Sequence, residues 1–146
     1  MWGTAVLPSD PVTTRGRTDE SGSPLPDTQS YLISHLLDDC ANRLRRLPES
    51  RLNKVAGSAR DLAQLLADAA QGIENRTDER PPEPRTVPTL SIFALGDQLA
   101  VTAGDLAAAA RGLGPAELVW WRAAREPLET VLQAAHGAAE HLRQAL

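Results

Sequence analysis

From Ser50 to Glu74 the apolar residues Leu52, Val55, Ala59, Leu62, Leu66, Ala69 and Ile73 recur at alternating steps of three and four. That spacing draws one apolar seam down a helix and leaves polar residues on the other side. The rhythm returns three more times. Ile33, Leu37, Cys40, Leu44 and Leu47 set it over residues 27–47, with Leu32 and Leu36 widening the stripe. Ile92, Leu95, Leu99, Thr102, Leu106, Ala109 and Leu113 set it over 90–112. Trp121, Ala124, Leu128, Val131, Ala135, Ala138, Leu142 and Ala145 set it over 115–145. Four helices are expected, each with one face to bury.

The residues between the seams punctuate them. Asp27 can cap the first helix, and Pro48 stops it. The link Pro48-Glu49-Ser50, with Ser50 as the next cap, is so short that the first two helices are expected to form an antiparallel hairpin. Gly112-Leu113-Gly114-Pro115 closes the third helix and opens the fourth, which predicts a second hairpin. Pro127 removes a backbone hydrogen bond inside the fourth helix, so a kink or a break is expected there. Residues 76–89 carry Pro81, Pro82, Pro84 and Pro88 among charged side chains. They read as an exposed linker, partly polyproline II, able to span a bundle end or reach another chain. Residues 1–26 show no periodicity and many Pro, Gly, Ser and Thr, as in a disordered tail. No stretch alternates with period two for long enough to predict a strand. The expected fold is all-α: a four-helix bundle of two antiparallel helical hairpins joined by a Pro-rich linker.

Composition agrees with this. Hydrophobic residues make up 42% of the chain but aromatics only 3%, so the apolar mass is Ala and Leu, which favour helix. The formal net charge of −4 argues against nucleic-acid binding and against a membrane-surface role. The first residues lack the basic and apolar regions of a signal peptide, and no apolar run reaches the ~20 residues that cross a bilayer. Cys40 is the only cysteine, which rules out an intramolecular disulfide and a Cys-based zinc site. A cytoplasmic protein is the expectation. Lys54 is the only lysine among many arginines, which suggests a GC-rich bacterial coding sequence.

Candidate chemistry is sparse. His35 can meet Asp38 and Asp39 on one helix face, a spacing that also suits a plain His–Asp hydrogen bond. His136 and His141 fall on different faces, and neither follows a Glu by three residues, as a di-metal carboxylate bundle would require. Cys40 lies in a seam, where a cysteine behaves as a small hydrophobe. No phosphate loop, serine-nucleophile motif or His-Glu-x-x-His helix is present. No cofactor and no metal are expected, and no catalytic residue is assigned.

Two surface features remain. Arg43, Arg45, Arg46 and Arg51 surround the first inter-helix link, beside the N-terminus of the second helix, and could hold an anion. Compensation of the first helix dipole explains three of them equally well. Trp120 and Trp121 diverge by about 100° on a helix. Trp121 fits the seam, and Trp120 stands beside it as a candidate contact with another chain. The sequence is therefore read as a non-enzymatic protein–protein interaction or regulatory module, acting on a partner protein or on itself through exposed helix faces. The alternatives are a small-molecule-binding bundle, with a pocket where Gly96, Gly104 and the alanines leave space, or an anion or nucleic-acid contact at the Arg43–Arg51 corner.

Overall fold

A computed structural model of the protein describes residues 26–146. The expected tail lies outside this range except for Pro26, which opens the first helix. Four helices are present: α1 (Pro26–Arg46), α2 (Glu49–Glu74), α3 (Leu95–Ala110) and α4 (Leu128–Ala145). A single 3-10 turn, Ile92–Ala94, leads into α3, and Ser91 Oγ accepts from the Phe93 N–H at 3.2 Å to start it. Between α3 and α4 the chain makes an antiparallel β-hairpin, β1 (Leu118–Trp121) and β2 (Ala124–Pro127). Side chains make no cap for α2. Pro48 stands at its N-cap position, and Glu49 places a negative charge in the first turn.

The seams are where the spacing puts them. All seven seam residues of α2 are buried. Ile33, Leu37, Cys40 and Leu44 of α1, Leu95, Leu99 and Leu106 of α3, and Leu128, Val131, Ala135 and Leu142 of α4 join them in one core.

Two expectations are corrected. The fourth helix does not begin at residue 115. It begins at Leu128, and Pro127 stands just before it at φ −63°, ψ 145°. Proline has no N–H to give to an intrahelical bond, so it breaks the helix outright, and residues 118–121 and 124–127 pair as strands instead. The all-α expectation thus becomes a mainly helical fold with a small two-stranded sheet.

The helices are also partnered differently from two packed hairpins. α1 packs on α3 and α4, and α2 packs on α3 and α4. Neither chain-adjacent pair, α1 with α2 or α3 with α4, is closely packed. Gly96 of α3 lies against Ala41 and Arg45, while Ala103, Leu106 and Ala110 meet Ile33 and Leu37, so α3 runs antiparallel to α1. Leu132 lies beside Ile33 and Leu37, and Cys40 Sγ donates to the Ala139 carbonyl at 3.6 Å, so α4 runs parallel to α1. Ala138, His141 and Leu142 face Ser58, Asp61, Leu62 and Leu65, so α4 opposes α2.

α2 and α3 are parallel neighbours, which needs a connection that returns the length of the helix. The Pro-rich segment is that connection. Gln71 Nε2 donates to the Glu83 carbonyl at 2.7 Å. Gln64 donates to the Arg85 carbonyl at 2.9 Å and accepts from the Val87 N–H at 2.8 Å. Arg60 donates to the Leu90 carbonyl at 2.9 Å, and Gln98 of α3 to the Pro88 carbonyl at 2.7 Å. The linker is a strap running backwards along α2.

Two glycines of α2 carry opposite expectations. A Cβ on Gly57 meets nothing within 4 Å, so Gly57→Ala should raise stability by about 0.5–1 kcal/mol through helix propensity. A Cβ on Gly72 would overlap the Trp120 carbonyl oxygen, a backbone atom. Gly72→Ala should lower stability by about 1–3 kcal/mol as the hairpin is pushed off α2. Urea denaturation of the two variants measures both signs.

Candidate functional site

The two tryptophans sit on β1, not on a helix, so their side chains point to opposite faces of the hairpin. Both are half-buried. The Trp120 backbone rests on Gly72, and its ring N–H donates to the Asp78 carbonyl at 3.2 Å. The Arg125 guanidinium lies 4.1 Å from the Trp120 ring centroid and donates to the carbonyls of Arg76 and Asp78. Arg76 in turn pairs with Glu117 at 3.7 Å. Trp120 therefore clamps the hairpin to the turn after α2. Trp121 packs against the core, with Arg122 4.9 Å above its ring.

Three arginines of the first link already have partners. Arg43 pairs with Asp39 at 3.1 Å, and Arg45 with Asp97 at 2.9 Å and with Asn42 Oδ1 at 2.9 Å. Arg51 donates to the Leu146 carbonyl at 3.4 Å. Arg46 is exposed and makes no ion pair among the described residues. The link is thus a set of separate contacts to α1, α3 and the end of α4.

His35 accepts or donates a 2.8 Å hydrogen bond with the Tyr31 hydroxyl and stacks edge-on with its ring, in place of Asp38 or Asp39. Cys40 is fully buried. Burial, with Asp39 adding to it, pushes its thiol up from the ordinary 9.0 to about 11. A thiol held protonated in this way is a poor nucleophile. Ser58, Asp61 and His141 share a cavity of about 290 Å³ between α2 and α4, but no hydrogen bond joins them. Among the described residues no group of three or more His, Cys, Asp or Glu side chains gathers to hold a metal.

A hollow of about 480 Å³ forms a groove between α2, α3 and the strap. Ala67 and Ala70 of α2, Val87 and Leu90 of the strap, Ala94 of the 3-10 turn and Val101 of α3 form its apolar walls. Gln71, Glu74, Gln98 and Asp105 supply polar groups. Gly96, expected to leave space for a pocket, is instead filled by the approach of α1. The alanines do leave space, on the opposite side of α3. Sequence spacing does not reveal this groove, because its third wall is the strap.

Above the groove, α3 presents a second unusual surface. The 19 residues Ile92–Ala110 carry only two charges, Asp97 and Asp105, and less than half of the stretch is buried. This stretch is long and apolar enough to cross a membrane by composition, contrary to the sequence expectation, yet its leucines form part of the core. Phe93 and Val101 are 66% and 63% exposed on it.

No family model, characterised protein or solved structure matches the chain.

Two predictions follow from local geometry. Arg122 and Ala123 close the hairpin at φ 53° and 67°, the left-handed region that favours Asn-Gly in two-residue hairpin turns. Ala123→Gly should raise the thermal midpoint, with a gain of about 0.5–1 kcal/mol. Cys40 holds its proton more tightly in the folded chain than in the unfolded one. Its contribution is complete below about pH 9 and lost as pH rises toward about 11, by up to ~1.4 kcal/mol per pH unit. Denaturation between those pH values should show this slope, and Cys40→Ala should flatten it.

Proposed function

We propose that the protein is a non-enzymatic interaction or regulatory module, a four-helix bundle that recognises another protein through the outer face of α3. The observation that carries this reading is the half-covered apolar helix. A helix apolar on nearly all sides belongs in an interior, and an exposed apolar surface rimmed by charge is the usual mark of a contact site. The uncovered side holds Phe93 in the turn before α3, then Asp97, Val101, Gly104 and Ala108 on the helix, with Arg111 just past its end. Small residues there let a partner backbone approach closely, and Phe93 offers an anchor.

The same reading accounts for the absence of a reaction to assign. The buried thiol is held protonated, and the Ser58, Asp61 and His141 group has no proton relay. Trp120, the contact candidate from the sequence, is committed to the hairpin clamp, which moves the proposed surface to α3. The acidic balance of the chain favours a protein partner over nucleic acid, and a single reduced thiol fits a cytoplasmic setting.

A photo-crosslinking residue placed at Ala108 tests this in the native host, with Asn53 on the exposed face of α2 as control. The expected outcome is a discrete adduct from position 108 and none from position 53. Phe93→Ser should abolish that adduct while leaving the thermal midpoint unchanged, since Phe93 is 66% exposed. Equal labelling from both positions, or an adduct indifferent to Phe93→Ser, would overturn the reading.

A further inference from the structure

The groove between α2, α3 and the strap has a chemistry of its own, independent of the outer face of α3. Its volume of about 480 Å³ lies in the range of small-molecule sites, and its walls are apolar. Three of the side-chain donors around it are directed elsewhere, while Arg85 and Thr86 also line it. Gln71 donates to the Glu83 carbonyl at 2.7 Å, and Gln98, 8% exposed, donates to the Pro88 carbonyl at 2.7 Å. The Thr102 hydroxyl lies 3.1 Å from the carbonyls of both Gln98 and Leu99. Tying the glutamine amides to the strap leaves their Oε1 oxygens as acceptors.

The charges point the same way. Glu74 and Asp105 both line the groove toward the C-terminal ends of their parallel helices. Neither carboxylate makes an ion pair among the described residues. Asp97 is already held by Arg45. Arg85 is the only cation among the lining residues and is outnumbered by these acids.

We propose that the groove binds an amphipathic primary amine. Its alkyl or aryl body lies against Ala67, Ala70, Val87 and Val101, and its protonated ammonium donates to Glu74 and Asp105. An ammonium offers three donors and no acceptor, which matches the two unpaired carboxylates and the glutamine oxygens. A carboxylate of the same length would face the two unpaired acids, with Arg85 alone to meet it. A neutral alcohol would gain the apolar contacts alone.

Calorimetric titration of the whole protein with octylammonium, octanol and octanoate, below their aggregation limits, separates these cases. Octylammonium should bind at least about tenfold more tightly than octanol, with octanoate weakest. Added salt should narrow the gap. The double variant Glu74→Gln, Asp105→Asn should bring octylammonium down to the octanol value. Filling the groove from two different walls, with Ala67→Phe and separately with Val87→Trp, should weaken octylammonium and octanol alike by tenfold or more, each variant being checked for an unchanged thermal midpoint. Octanoate binding as tightly as octylammonium, unaltered octylammonium affinity in the carboxylate or filling variants, or no binding of any probe would overturn the proposal.

Discussion

Gln64 closes a two-pronged hydrogen bond on the extended backbone of Arg85 and Val87, as a neighbouring strand would. The topology depends on that contact and on those of Gln71, Arg60 and Gln98 beside it. A Pro-rich segment has few means of pairing with itself, because proline offers no N–H. Here its carbonyls are satisfied by side chains of the helices it crosses. The segment therefore lies down along α2 and delivers α3 beside α2 in the same direction. α3 then separates α1 from α2, and the short Pro48 link joins two helices that do not pack closely together.

This explains which parts of the fold the residue pattern reveals. The seams of α1, α2 and α3 are legible because burial of a helix face imposes a period on the residues themselves. A seam states that a face is buried and is silent about which helix covers it, so the packing of α1 and α2 on α3 and α4 stays hidden. The hairpin was obscured by coincidence. Trp121, Ala124 and Leu128 happen to keep a three-then-four spacing, while the real signals were Val119-Trp120-Trp121, a β-favouring run, and a proline in front of Leu128. The turn Arg122-Ala123 lacks the Asn-Gly signature because it carries left-handed backbone on ordinary residues.

The candidate sites were less legible than the fold for a related reason. Arginines grouped in sequence need not act together, and here Arg43, Arg45 and Arg51 turn to three different elements. Each of these contacts is solvent-exposed and contributes at most about 1 kcal/mol to stability, so they orient surfaces more than they hold the fold. Trp120 was singled out for its rarity, and its rarity has a structural cause. Its backbone covers Gly72 and its ring meets Arg125, and a hairpin of four-residue strands is too short to stand without such a clamp.

The groove and the bare face of α3 share one origin in the alanine content of the chain. Small side chains let α1 come down on Gly96 and let the hairpin come down on Gly72, and they close those contacts tightly. Where the neighbour is a strap held at the length of a glutamine side chain, the same small residues cannot fill the gap. Ala67, Ala70 and Ala94 stop short, and Val87 and Leu90 do not reach across. A Leu at any of these positions would have offered burial at about 25 cal/mol per Å² of apolar surface. The hollow is therefore not what stability alone would select, whereas the leucine-filled core a few ångströms away is. That contrast, within two adjacent faces of one helix, is the physical reason the proposed recognition is placed on α3 and the strap.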